Sequence, residues 1–277
     1  MTNLADTLNQ GDLRLRPPVD TDLPDLLRHL NDIRIVRWLA AVPQPFDTGA
    51  ADGLLAHGMH AGENLRLIEL GGSVAGGLCI GASLWYWLHP AFWRRGLMRR
   101  ALDLAIPAYF THPAPPLIAT CHTENVASRS LLASLGFSPC LAGRRMFFQS
   151  TQSAEPCLDY LMAPEQWHLL HPPIIPVGRA SLRPAQQKDA RQLALILARV
   201  GGGVWPNADA LPSFMENHRF RGQSRGLFVI IDEYRRCIGM ALMTGYHADL
   251  CFLSDDDEAR HRTNISAALA NRMFSHA

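Results

Sequence analysis

Net charge, paired cysteines and long apolar runs are all missing from this chain of 277 residues. Its 26 Lys and Arg against 25 Asp and Glu leave a formal charge of +1. No global field therefore draws it to nucleic acid or to an acidic membrane, and any basic site must be local. No stretch approaches the roughly 20 apolar residues that a membrane-spanning helix needs. The N-terminal MTNLADTLNQGDLRLRPP lacks the basic-then-apolar pattern of a secretory leader. The expected address is the cytoplasm, with neither nucleic acid nor membrane as partner. Six cysteines, at 79, 121, 140, 157, 237 and 251, are scattered without a CxxC pair, which predicts buried free thiols in a reducing compartment. Twelve histidines supply the close pairs His57/His60 and His168/His171. Neither pair adjoins an acidic or thiol partner at ligand spacing, so no metal site is expected.

What is present is apolar bulk and a readable order of elements. With 48% hydrophobic residues the chain can bury a substantial core, in one large domain or two smaller ones. Leu13 to Pro18 alternates apolar and charged residues as a half-buried strand does. A helix follows, capped by Asp20 or Thr21, with Leu23, Leu26, Leu27 and Leu30 on one face. Asn64 to Leu70 and Val74 to Ala82 read as strands joined at Gly71-Gly72, and Ser83 to Leu88 as a third. Arg94 to Phe110 carries a helical stripe that stops at the THPAPP turn. Pro116 to His122 is a short strand, Asn125 to Leu135 a helix closed by Gly136, and Arg144 to Gln149 with Cys157 to Met162 a closing antiparallel pair. This order predicts an α/β (α+β) domain over residues 1–168, a mixed, mostly antiparallel sheet with helices on both faces.

The proline-rich stretch 169–180 reads as a linker, and residues 181–277 then start again. Leu182-Arg183-Pro184 and Asp189 echo Leu15-Arg16-Pro17 and Asp22. LFVIIDEYRRCIGMAL (227–242) echoes LRLIELGGSVAGGLCI (65–80), with Gly239 on Gly76. Two matches at similar offsets predict an internal duplication.

The stretch WLHPAFWRRGLMRRAL (87–102) gathers Arg94, Arg95, Arg99 and Arg100 around Gly96. As a solvated helix face these arginines need no ligand. At a helix start they oppose the positive end of the dipole, a placement that an anion on the unpaired N–H groups would explain.

Trp85 to Leu102, taken with HTENVASRSLLASLGF (122–137), resembles the GNAT acetyltransferase superfamily, closest to its ribosomal-protein-alanine acetyltransferase (RimJ/RimL-like) branch. The residues that carry the resemblance are WYWLHP, the turn Trp93-Arg94-Arg95-Gly96-Leu97-Met98, and Asn125, Ser128, Gly136 and Phe137. It covers about residues 13 to 165 and implies a GNAT-like sheet with acetyl-CoA as cofactor. The resemblance places the pyrophosphate on Arg94, Arg95, Gly96, Leu97, Met98 and Arg99, and the pantetheine arm beside Trp87, Leu88 and His89. A backbone N–H near Leu88 would hold the thioester oxygen, Asn125 would touch the arm, and Ser128 would give a proton to the departing thiolate. Read without a ligand, Asn125 is a helix cap and Ser128 an ordinary helix residue.

Arg94 and Met98 replace smaller residues of that branch, which puts larger side chains near the expected phosphate cradle. Ser83 stands where the branch has an acidic residue that accepts the amine's proton through water. Glu69, His89, His122 and Glu124 are the substitute bases, with His122 and Glu124 preferred as catalytic residues because they adjoin Asn125. Trp38, Phe46 and Phe92 belong either to the core or to the acceptor pocket. The segment 248–269 resembles the strand, turn and helix of a second copy, with Arg262 at the Gly96 position and Asp255, Asp256, Asp257 and Glu258 bringing negative charge to the turn. That copy resembles a truncated, incomplete GNAT-like lobe without cofactor, whose open sheet edge docks on the first domain or on a second subunit as a homodimer.

The activity implied is N-acetyl transfer from acetyl-CoA to a primary amine acceptor, either a peptide or protein N-terminus or a small molecule. The alternative is a non-catalytic acyl-CoA-binding sensor or interaction protein that keeps the fold. Transfer of a different acyl group stays open.

Overall fold

The computed structural model describes residues 4–58, 60, 62–111, 114–200, 202–220, 225–244 and 247–274. His112 and Pro113 of the predicted THPAPP turn, and the last three residues, lie outside the described residues. The chain divides into two compact units, Met1–Ala163 and Pro164–Ala277.

The first unit opens with β1 (Leu8–Gln10) and β2 (Leu13–Arg16), then a 3-10 turn (Asp20–Asp22), α1 (Leu23–Leu30), α2 (Ile33–Val36) and α3 (Thr48–Gly58). Three strands follow, β3 (Leu65–Leu70), β4 (Ser73–Ile80) and β5 (Leu84–Leu88). After them come α4 (Leu97–Tyr109), β6 (Leu117–His122), α5 (Val126–Ser134), β7 (Ser138–Pro139), β8 (Arg144–Phe148) and β9 (Ser153–Met162). Strands β1 to β5 pair antiparallel in chain order, and β6, β9 and β7 form a second sheet with β8 paired to β9. Strand β4 is buried at every position after Ser73, as a strand covered on both faces must be. One face packs Trp87 against Leu26 and Leu30 of α1, Ile35 and Val36 of α2 and Ala51 of α3. On the other face Tyr86 meets Ser128 of α5, and Arg99 of α4 bonds Ser134 at the end of α5. Helices therefore cover both faces, as the order of elements predicted.

Two local devices fix this unit. Gly77 lies opposite Trp87 in the β4–β5 ladder, and an added Cβ there would fall 2.2 Å from the indole, so only glycine admits the ring. The turn into α1 is set by Asp22, not by the Asp20 or Thr21 cap expected. Asp22 accepts the Arg16 guanidinium at 2.7 and 2.8 Å and the Val19 N–H at 2.8 Å. Burial by itself would raise the Asp22 carboxyl, but Arg16 and the Val19 N–H outweigh it and hold the group below the usual range. Arg16 also donates to Glu69 at 2.6 Å, which ties the turn to β3.

The second unit runs α6 (Pro164–Leu170), β10 (Ile175–Val177), β11 (Ala180–Pro184), a 3-10 turn (Gln187–Asp189), α7 (Ala190–Val200) and α8 (Leu211–Asn217). It ends with β12 (Arg225–Asp232), β13 (Cys237–Thr244), β14 (Ala248–Phe252) and α9 (Asp255–Phe274). The expected linker contains a strand: Pro172 and Pro173 precede it and Pro176 lies within it, as Ile175–Val177 pairs antiparallel with β11. The sheet order β10 to β14 repeats that of β1 to β5. Arg183 clamps Asp189 at 2.8 Å, with the Gln186 N–H on the same carboxylate at 2.7 Å, the arrangement of Arg16, Asp22 and Val19 over again. Each unit also breaks register once in its central hairpin, between Ile68 and Glu69 and between Ile230 and Ile231.

All six cysteines are free. Cys79, Cys121, Cys157 and Cys251 are buried as expected, whereas Cys237 is partly covered and Cys140 is exposed. Among the described residues no helix is long and apolar enough to cross a membrane, and no three His, Cys, Asp or Glu side chains come together to hold a metal ion.

Removing one partner of a sheltered ion pair strands the other, at a cost of about 3 kcal/mol. Asp22→Ala is expected to lower the melting temperature at neutral pH accordingly. A depressed carboxylate pKa stabilises above the unfolded value of roughly 3.9 and is lost as pH falls through the folded one. Thermal unfolding at neutral pH and in strong acid should show wild type and variant far apart in the first and converging in the second.

Candidate functional site

Strand β5 is the last of its sheet, and the direction of its backbone follows from one hydrogen bond. His89 N donates to Ala75 O at 2.8 Å, in register with the Gly76–Leu88 pairing. Antiparallel pairs alternate between bonded and non-bonded, so His89 and Ala75 are a bonded pair and Leu88 and Gly76 are not. The Leu88 N–H and C=O therefore point away from β4, toward the side of β6. The Leu88 carbonyl is taken by the Trp93 indole N–H at 2.7 Å. Its N–H is left as a donor at the mouth between two sheets that do not join.

Between β5 and α4 the chain makes a turn with two left-handed residues, Arg94 at φ 59° and Gly96 at φ 68°. The helix thus starts at Leu97, not at Arg94 as its apolar stripe suggested, because these conformations break the run. Gly96 is the N-cap and offers no side-chain bond to the first turn. An added Cβ at Gly96 would meet nothing within 4 Å, so its positive φ is what calls for glycine. Arg94, Arg95 and Gly96 are exposed. The N–H groups of Leu97, Met98 and Arg99 thus head a helix of 13 residues with two arginines beside them and open space in front, a geometry that suits a pyrophosphate.

Several expected contacts fall elsewhere. Leu97 and Met98 have buried side chains, so Met98 does not crowd the cradle. Trp87 is likewise buried in the core rather than beside a ligand. The Arg99 side chain is 42% exposed, and its guanidinium bonds Asp103 at 2.9 Å and Ser134 Oγ at 3.0 Å. Arg100 reaches Asp12 at 2.6 Å. Glu69 is engaged by Arg16 at 2.6 Å. Phe46 is buried in the core.

At the mouth's other side stands the start of α5. The Asn125 side-chain oxygen caps Ser128 N at 3.1 Å, which leaves its amide N–H groups as donors. The Ser128 hydroxyl lies 2.8 Å from the Tyr86 hydroxyl. Burial pushes the Tyr86 phenol well above its ordinary value, with the Ser128 bond working against that shift, so Tyr86 keeps its proton at neutral pH. Tyr86 was not singled out from the sequence, although it sits inside the quoted WYWLHP. Its signal was alternation: Trp85 and Trp87 turn to one face, Tyr86 to the other.

The base candidates separate clearly. His89 is partly buried; its Nδ1 accepts the Ala91 N–H at 3.3 Å, so it caps the turn that follows β5. Glu124 is exposed. The His122 ring is buried edge-on between Trp38 at 5.4 Å and Phe148 at 5.6 Å. Its Nδ1 accepts the Glu124 N–H at 3.0 Å, so the neutral ring carries its proton on Nε2. That nitrogen lies 3.9 Å from Glu155 of β9, a residue the sequence reading missed.

His29 of α1 lies under this site, wholly buried. It stacks on His89 at 4.7 Å, and both its ring nitrogens lack a hydrogen-bond partner among the described residues. Burial, then the nearby charges of His89 and Arg28, pushes its pKa down to about 4. The unfolded chain then binds this proton first, so stability falls as pH drops from roughly 6.5 toward the folded value. A histidine NMR titration should find one imidazole that stays neutral through mild acid and titrates near 4.

The second unit lacks the same turn. Its strand β14 reaches α9 through Leu253 and Ser254 alone, so Ser254, rather than Arg262, stands where Gly96 stands. Arg262 lies inside α9 and bonds Glu258 at 2.8 Å. Ser254 Oγ accepts the Asp257 N–H at 3.1 Å, and Asp255, Asp256, Asp257 and Glu258 fill the first turn. The dipole of α9 is thereby satisfied from within, where that of α4 is left open.

No curated protein matches the chain. Among solved structures, a presumptive acetyltransferase from T. thermophilus aligns with TM-score 0.51 and 23% identity, over 60% of this chain and 94% of that one. Another presumptive acetyltransferase gives TM-score 0.50 and 23% identity, over 60% and 91%. Mycobacterium smegmatis RimJ in complex with CoA-disulfide gives TM-score 0.48 and 22% identity, over 56% and 83%. Residues 12–138 match the family model described as acetyltransferase (GNAT) domain, which spans β2 to β7 and so takes in the mouth, the arginine turn and the Tyr86–Ser128 pair. Within the N-terminal unit, residues 12–138 are thus similar to a GNAT acetyltransferase domain.

Proposed function

We propose that the N-terminal unit transfers the acetyl group of acetyl-CoA to a primary amine, a peptide N-terminus or a small molecule. The observation that carries this reading is the outward Leu88 N–H on one side of the mouth with the hydrogen-bonded Tyr86–Ser128 pair beside it. Acetyl-CoA supplies the thioester. Arg94, Arg95 and the first-turn N–H groups of α4 bind its pyrophosphate, and the Asn125 amide orients the arm. The Leu88 N–H stabilises charge as it grows on the thioester oxygen, without reorganisation. Ser128 gives its hydroxyl proton to the departing thiolate and is reprotonated through Tyr86 along the existing bond, and the proton the amine loses as the amide forms passes through water at the mouth to restore the pair. The second unit, with its repeated sheet order and clamp but no open helix start, is a duplicated copy that holds no cofactor.

Labelled acetyl-CoA incubated with a panel of amines and peptides tests the reading. Wild type is expected to transfer label to at least one amine. Ser128→Ala should lower kcat by about 100-fold with the KM for acetyl-CoA little changed, and Tyr86→Phe should lower it less. Ser128→Ala at full rate would remove Ser128 as proton donor. Failure of acetyl-CoA to raise the melting temperature at concentrations far above micromolar would overturn the reading itself. Stabilisation without transfer to any amine would favour the sensor.

A further inference from the structure

The end of β6 divides two environments. Cys121 and the Tyr86–Ser128 pair occupy the α5 face, where the proton for the thiolate is kept. His122, the next residue, turns to the opposite face, among Trp38 after α2, Phe148 of β8 and Glu155 of β9. An acceptor that meets a thioester held at the mouth has to come from the face the proton donor does not occupy.

Glu155 is the one feature of that face that asks for a partner. Its side chain is 30% exposed and takes the Ser153 hydroxyl at 2.5 Å. The Ser153 bond, against a small opposing effect of burial, and the charges of His122 and Arg145 hold its carboxyl below the usual range, so it is an anion at neutral pH. The Arg145 guanidinium bonds the Ala154 carbonyl instead. Other sheltered carboxylates of the unit are satisfied: Asp22 and Glu69 by Arg16, Asp159 by Arg144, and Glu63 by the Ala82 N–H and the Cys79 thiol. Among the described residues no arginine or lysine lies within ion-pair distance of Glu155. His122 Nε2 lies 3.9 Å away, beyond hydrogen-bond distance.

We infer that Glu155 receives the ammonium group of the acceptor, and that the substrates are amines that enter as cations and lose a proton to water at the mouth before the neutral nitrogen attacks. The His122 ring, itself packed between Trp38 and Phe148, shields one side of the carboxylate from water and strengthens that attraction. His122 is a positioning residue for the carboxylate and not the base. This assignment rests on the acetyl-transfer reading above and adds the acceptor's charge to it.

The test compares, in the full chain, an alkyl amine that is cationic at neutral pH with an aromatic amine that is neutral there. Glu155→Gln is expected to raise the KM for the alkyl amine about tenfold or more, with kcat, the KM for acetyl-CoA and the kinetics of the aromatic amine little changed. Glu155→Asp should recover part of the loss. Wild-type KM for the alkyl amine should also rise with ionic strength. An unchanged KM in Glu155→Gln, or an equal rise for both amines, overturns the assignment and leaves acetyl transfer standing. Wild type inactive on every amine overturns both.

Discussion

One peptide group governs the architecture of the first unit. Antiparallel pairing on β4 forces the Leu88 N–H outward, and the site depends on nothing hydrogen-bonding to it from β6. The fold secures this by placing β6 in a different sheet, paired to β9, while Trp85 and Trp87 anchor β5 into the helical layer of α1 to α3. Gly77 is the sequence's concession to that anchor, since the Trp87 ring occupies the place of a side chain. The strand is thus held firmly on one edge so that the other can remain open.

The charged parts of the site follow the same division between groups that hold the fold and groups that remain available. Arg16, Arg99 and Arg100 are engaged by carboxylates or carbonyls of neighbouring elements. Arg94 and Arg95, held out by a turn through positive φ, are not committed in this way. The bond from Arg99 to Ser134 joins α4, which starts at the Gly96 turn, to α5, whose start carries Asn125 and Ser128. The second unit shows the opposite solution, because Ser254 and four acidic residues complete the start of α9 and leave no place for an anion.

Much of this was legible in the sequence where a single period governed the pattern. The strands β3 to β5, the helix α5 with its Asn125 cap and the repeated Leu-Arg-Pro of the second unit all follow from local alternation and capping. Errors arose where tertiary context decided. Met98 and Trp87 lie in the stretch that carries the resemblance, and burial sends their side chains into the core. The start of α4 moved because apolar spacing cannot register the left-handed turn at Arg94 and Gly96. Glu69 looked available until β2 brought Arg16 across to it, and Glu155 became visible only through the register that sets β9 against β6. Ile175–Val177 was hidden by its prolines, which an edge strand tolerates.

The bond from the Trp93 indole to the Leu88 carbonyl has a bearing on association as well as on chemistry. An exposed strand edge normally recruits another strand because it offers donors and acceptors in turn. With its carbonyl already occupied by the Trp93 indole, Leu88 offers its donor without its own acceptor, and a β-ladder loses a bond at that point. The edge therefore discriminates between visitors: it can grip a single electron-rich oxygen, but it gives an incoming polypeptide a poorer foothold from which to extend the sheet.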